Sequence, residues 1–213
     1  MVQNDIKIRE SIKAVMFDLG NVLLFFSHQR MFRQIATELN CDVTVVEDHL
    51  KTKGNLHRLE AGLVLASDFL RDLNSSCSGH GDLHSDLEKS LRRAMSDIFI
   101  PNRIMIDLLQ DLQKKGIKLV LVSNTSSIHF DFVKSMSPWL NKFDALVLSY
   151  EIKAMKPDSS YYQAVLKVAK ERPKSCVFVD DIAENISGAA NAGFQTHQYV
   201  NHDGFLRFLS HSN

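Results

Sequence analysis

The chain has no surplus of either charge: 25 Lys and Arg residues stand against 25 Asp and Glu residues over 213 positions. That balance argues against nucleic acid or an anionic membrane surface as the main partner. No apolar stretch approaches the ~20 residues that a membrane span requires. Residues 1–10 carry neither the apolar core of a secretion signal nor an Arg/Ser-rich transit pattern. The cysteines, Cys41, Cys77 and Cys176, form no CxxC pair and no even-numbered framework, so they read as packing residues of a reducing compartment. Internal repeats and low-complexity runs are also missing. These absences describe a soluble, cytoplasmic chain, long enough for one substantial core or a core with a small second unit.

What is there begins with residues 13–25, where an apolar run closes on a single carboxylate, Asp18, followed by Leu19-Gly20-Asn21. Such a run reads as a strand buried on both faces, over 12–18, with Asp18 at its carboxyl end. Taken alone, Asp18 and its neighbours suit a plain turn equally well. Residues 19–26 read as a loop or tight hairpin leaving the strand. Ser27 then reads as the N-cap of an amphipathic helix with Met31, Ile35 and Leu39 at four-residue steps. Helical patterns continue over 43–53, stopped by Gly54, over 64–73, and over 82–97 with Leu83, Leu87, Leu91 and Met95 aligned. Residues 74–81 form a polar, glycine-bearing loop. No strand pattern occurs between 27 and about 99.

After Pro101 the texture alternates. Helix 102–115 carries Ile104, Leu108 and Leu112, strand 118–122 follows, and helix 127–136 is expected to bury Ile128, Phe132 and Met136. Strand 145–149, loop 150–157, helix 159–171, strand 176–179, helix 184–192 and a short strand at 196–199 complete the series. Alternation at this interval implies parallel strands, right-handed crossovers and helices on both faces. The expected fold is α/β, a Rossmann-like parallel sheet core of residues 1–26 and 100–213, with an α-helical cap of residues 27–99 inserted after the first strand.

In a parallel sheet all carboxyl ends lie on one edge, so Asp18, Ser123-Asn124-Thr125, Lys156 and Asp180-Asp181 are placed to share one crevice. Two or three acidic groups suit a hard cation such as Mg²⁺. Hydroxyl and backbone N–H groups at a helix start suit phosphate oxygens, and a lysine offsets anionic charge. Singly, Asp180-Asp181 and Ser123-Asn124-Thr125 could each merely cap a helix, and Lys156 could be a solvated surface residue.

Asp18-Leu-Gly-Asn-Val22, Val122-Ser-Asn-Thr125, Lys156-Pro-Asp158 and Val177-Phe-Val-Asp-Asp-Ile-Ala-Glu-Asn-Ile186, with Gly188-Ala189 and Ala192-Gly193, resemble the four ordered motifs of the haloacid dehalogenase superfamily of hydrolases. The helical insert is similar in position to that superfamily's first cap class. Within it, Glu60-Ala-Gly62 with Phe69 resembles a signature of bacterial sugar-phosphate phosphatases and of the amino-terminal domain of soluble epoxide hydrolase. The resemblance implies a Mg²⁺-dependent phosphatase acting on a small phosphorylated metabolite. Asp18 would be its nucleophile, forming an aspartyl-phosphate. Asp18, the Gly20 carbonyl and Asp180 would hold the metal, with Asp181 as a further ligand or a neighbour of the ligands. Ser123 and Asn124 would bind the phosphoryl group, Lys156 would offset its charge, and residues 56–69, Glu60 among them, would cover the leaving group.

One position departs from the family pattern. The usual phosphatase carries a second Asp two residues after the nucleophile, as acid and then base, and here that position is Gly20. Losing a positioned acid/base costs ~10² to 10⁴ in rate. Candidate substitutes are His28, His57 and Glu60, while His80 and His84 lack partners at zinc-ligand spacing. Two other functions fit the same motifs: a dehalogenase, whose Asp nucleophile attacks carbon without a metal, and a ligand-binding protein that kept the site without turnover.

Overall fold

The computed structural model describes residues 6–79 and 82–211. The first five residues, and His80 and Gly81 of the expected 74–81 loop, lie outside them. Five parallel strands form the central sheet: β1 (Ala14–Asp18), β4 (Lys118–Ser123), β5 (Ala145–Leu148), β6 (Cys176–Asp180) and β7 (Gln195–Gln198), in the order β5-β4-β1-β6-β7. β1 is central, pairing Asp18 with Val122 of β4 on one side and Phe17 with Val179 of β6 on the other.

Alternation along the strands divides the core into two layers. Val15, Phe17, Leu119, Leu121, Val177 and Val179 face one way, against α6 (Arg103–Lys114), α7 (Ser127–Met136) and α11 (His202–Ser210). Ala14, Met16, Val120, Val122, Cys176 and Phe178 face the other, against α9 (Ser159–Ala169) and α10 (Ala183–Asn191). This explains why the strands read as continuous apolar runs rather than alternating ones: both faces are covered. Fully buried side chains such as Phe17 and Met16 contribute roughly 1.5–3 kcal/mol each.

Between the first two crossings of the sheet the chain builds a second apolar cluster from α1 (His28–Leu39), α2 (Val43–Glu47, continued by a π turn over Asp48–Thr52), α3 (Asn55–Glu60), α4 (Ala66–Ser78) and α5 (Ser85–Ser96). Met31, Ile35 and Leu39 are buried, and the Ser27 hydroxyl accepts from Arg30 N at 3.2 Å, so this helix starts where its cap residue places it. The chain enters and leaves through a short antiparallel pair, β2 (Leu24–Phe26) with β3 (Phe99–Pro101), in which Phe25 faces Ile100. No helix among the described residues is long and apolar enough to cross a membrane.

Several local expectations change. Residues 74–78 are not loop: α4 runs to Ser78 and ends on Gly79 at φ +73, because Asn74 is buried and its amide donates to the Asp82 carbonyl at 2.9 Å. Residues 149–152 form a single helical turn, α8 (Ser149–Ile152), rather than the end of a strand and a loop. In α7 the buried residues are Ile128, His129, Phe130 and Val133, not Phe132 and Met136. That helix lies between the two clusters: Ile128 packs into the helical one, and Phe130 and Val133 into the sheet. In α6 Ile104 is exposed, and Met105 and Leu109 join Leu108 and Leu112 inside. α11 is an addition to the expected series: Asn201 caps it, accepting from Gly204 N at 2.8 Å, and Phe205 and Leu209 anchor it at four-residue spacing.

Candidate active site

Asp18 ends β1 and Asp180 ends β6, so adjacency of the two strands sets the carboxylates side by side. Lys156 reaches between them from the loop ahead of α9. Its ammonium donates to Asp18 Oδ1 at 2.7 Å, to Asp180 Oδ2 at 2.6 Å and to the Val122 carbonyl at 3.3 Å. All three N–H bonds are thereby used. The group is almost wholly buried: 0% of Asp180, 4% of Lys156 and 7% of Asp18 is exposed. Burial, together with repulsion from Asp180, pushes the Asp18 carboxyl up to about 7 against the opposing pull of Lys156. Burial works against the charge on Lys156 as well, but Asp18 and Asp180 more than offset it and hold the ammonium above its usual range.

Two residues with no expected role hold this cluster. Asn185 donates to both oxygens of Asp180, at 3.0 and 3.1 Å, while Ile182 N adds a bond of 2.9 Å to Oδ1. Asn21, in a left-handed turn at φ 53 that Asn tolerates, donates to Asp181 Oδ2 at 3.0 Å. The available signal was Asn185 in the first turns of the helix after Asp180-Asp181, five positions beyond the first acid. Carboxylate oxygens of Asp18, Asp180 and Asp181 lie within 4.8 Å of one another, the one such group of three among the described residues.

Ser123 and Asn124 stand at the end of β4, as expected, but Asn124 turns its carboxamide elsewhere. It accepts from Lys156 N and donates to Lys156 O, both at 2.9 Å, clamping the lysine's backbone. The carboxamide thus positions Lys156, while Asn124 also lines the cavity described below.

Residues 12–193 match the model of the haloacid dehalogenase-like hydrolases, which covers most of the chain. The chain belongs to this family. Among relatives of the hydrolase, D-ribitol-5-phosphate phosphatase from Bacteroides thetaiotaomicron is 24% identical, over 89% of this chain and 93% of that one. Bifunctional epoxide hydrolase 2 of Rattus norvegicus is 26% identical over 87% of this chain, which spans only 36% of that longer protein. A solved HAD family enzyme from Bacteroides thetaiotaomicron, in complex with magnesium and inorganic phosphate, superposes with a TM-score of 0.74 at 28% identity, covering 87% of this chain and 93% of that one. The parallel sheet with flanking helices is thus the HAD fold.

In this hydrolase the helical cluster and the sheet edge together line a small cavity of about 50 Å³. Its floor is Leu19, Gly20 and residues 123–125, and its walls include Phe26, Phe99, His28, His129 and Glu60. The Ser96 hydroxyl donates to the Ile128 carbonyl at 3.0 Å, tying the cover to α7, and the Ser149 hydroxyl bonds the Glu60 carbonyl at 2.6 Å and accepts from Thr125 N at 2.9 Å. Next to it Gly62, at φ +66, packs so closely on the Tyr150 carbonyl that no Cβ would fit. His57 is exposed on α3 and does not line the cavity.

Proposed function

We propose that the chain is a Mg²⁺-dependent phosphatase that hydrolyses a small phosphorylated metabolite, such as a sugar phosphate, through an aspartyl-phosphate on Asp18. The observation that carries this reading is the convergence of Asp18, Asp180 and Asp181 within 4.8 Å, with Lys156 between the first two. Three carboxylates and one ammonium leave two formal negative charges, which a divalent cation balances, and an all-oxygen donor set suits Mg²⁺. Asp18, the Gly20 carbonyl, Asp180 and Asp181 would hold it. Bound there, the ion supplies Lewis-acid polarisation of a phosphoryl oxygen.

The chain's own residues divide the remaining work. An oxygen of Asp18 attacks phosphorus, the ester P–O bond breaks, and water later displaces the phosphoryl group from Asp18. Lys156 offsets the charge gathered around that centre, while the Ser123 hydroxyl and backbone of residues 123–125 receive the phosphoryl oxygens. Residues 27–99 act as a cap over a core of 1–26 and 100–213, and a site covered in this way excludes folded phosphoproteins. The relatives support the reading: one is named for a small phosphorylated substrate, and the structural neighbour holds magnesium and phosphate. A dehalogenase would use the same nucleophile on carbon without a metal, and the acidic cluster weighs against it. Three free cysteines are in keeping with a cytoplasmic place for the enzyme.

The test is phosphate release from p-nitrophenyl phosphate, sugar phosphates, nucleotides and organic-acid phosphates, with Mg²⁺ and with chelator. Wild type turns over at least one of them with Mg²⁺ only, and Asp18→Asn turns over none. Equal inactivity of both across the panel would sink the proposal in favour of a binding protein, and halide release without Mg²⁺ would do so in favour of a dehalogenase.

A further inference from the structure

Breaking a phosphate ester expels an alkoxide, which needs a proton as it leaves. The buried cluster has none to give: Asp18 is the attacking group, and the ammonium of Lys156 is committed to Asp18, Asp180 and the Val122 carbonyl. Position 20 cannot supply one either. It is glycine, and a Cβ built there would stand 2.8 Å from the Phe26 ring, so the space an acidic side chain would enter is filled.

Displacement at phosphorus is in line, so the leaving oxygen points away from Asp18, towards the cap. We propose that Glu60, at the end of α3 on the cap side of the cavity, donates that proton. The inference rests on the phosphatase reading above. Three observations support it. Glu60 lines the same cavity as Gly20 and residues 123–125. Its backbone is fixed there, because the Ser149 hydroxyl that bonds its carbonyl also holds Thr125 N. And its carboxyl has no hydrogen bond or ion pair among the described residues, leaving it available to a substrate oxygen.

The charge states separate Glu60 from the other polar groups in reach. Burial without a compensating partner pushes Glu60 up to about 8, and its place at a helix carboxyl end works in the same direction, so it is protonated at neutral pH. Burial lowers both His28 and His129, the latter to about 4, so both imidazoles are neutral and neither is a useful acid. Around α3, the neighbouring elements bring Tyr150 and Glu151 on α8, His49 and Lys51 in the π turn, and Asp68 and Arg71 on α4; none pairs with Glu60. In the first step an Asp18 oxygen bonds to phosphorus, the ester P–O electrons stay on the leaving oxygen, and that oxygen takes the Glu60 proton. In the second, Glu60 takes a proton from the water that attacks phosphorus, the Asp18–phosphorus bond breaks, and inorganic phosphate departs.

The experiment compares kcat/KM for phenyl phosphate and p-nitrophenyl phosphate in wild type, Glu60→Gln, Glu60→Ala and Asp18→Asn. Phenolate is much the more basic leaving group and depends on the acid. Both Glu60 variants are expected to lose about 10²-fold or more on phenyl phosphate and less than tenfold on p-nitrophenyl phosphate. The wild-type rate on phenyl phosphate should fall above about pH 8 as the acid ionises, and that limb should vanish in Glu60→Gln. In ¹³C-carboxyl NMR of wild type, one glutamate resonance should titrate near 8 and be missing from Glu60→Gln. An equal loss on both substrates, no loss on either, or an alkaline limb that survives in Glu60→Gln would overturn the assignment of Glu60 alone. Asp18→Asn as active as wild type would overturn the phosphatase reading, and this inference with it.

Discussion

At the sheet edge, buried Asp180 receives Lys156 at 2.6 Å, two bonds from Asn185 and one from Ile182 N, and Asp18 shares the same ammonium at 2.7 Å. On α3, Glu60 is half-buried and none of the described residues holds its charge. The difference lies in what opposes burial: at the sheet edge Lys156 pulls against its effect on Asp18, whereas nothing pulls against it at Glu60, which burial pushes up to about 8. His129, buried beside the same cavity with Nε2 unpartnered, is the basic counterpart of Glu60.

Removing the shared cation is the strongest way to break this contrast. Lys156→Met leaves two buried carboxylates facing each other and should cost about 3–5 kcal/mol of stability by urea unfolding, together with all activity. Next comes His129. Its folded value of about 4 lies below the unfolded 6.5, so the unfolded chain binds the extra proton first as pH falls. Stability should decline between about pH 6.5 and 4 by up to about 3 kcal/mol, and His129→Phe should flatten that stretch of the unfolding profile. The smallest effect has the opposite sign. Glu60 is raised when folded, so its contribution is intact below about 4.5 and is lost as pH rises to about 8. With its partial exposure discounted, Glu60→Gln should therefore raise stability at pH 7, by about 1–2 kcal/mol, while lowering turnover of basic leaving groups. Thermal unfolding of both forms at pH 5 and pH 7 reads this directly, since the gain should be smaller at pH 5.

The strand ends were legible because each core strand is a short apolar run covered on both faces, and a polar residue that stops such a run must lie at the sheet edge. Asp18, Ser123 and Asp180 follow from that rule, and the helical insert follows from its 3.6-residue period. The unread parts depend on partners distant in sequence. β3 is three residues including Pro101, and it is a strand only because Phe26, Phe25 and Leu24 pair with it. α8 depends on Ser149 finding Thr125 and Glu60. Asn124 is a polar residue at a strand end like its neighbours, and nothing local shows that its amide clamps Lys156, 32 positions away. Glu60 was visible as a residue of the helical insert, but that no cation among the described residues pairs with it is a property of the packed molecule.

Acid-quenched enzyme, stopped during turnover of p-nitrophenyl phosphate with Mg²⁺ and mapped by peptide mass spectrometry, tests the central claim most directly. A phosphoryl group on the peptide containing Asp18, absent from Asp18→Asn, is the result this account predicts. Steady phosphate release with that peptide unmodified, and with Asp18→Asn still active, would contradict it.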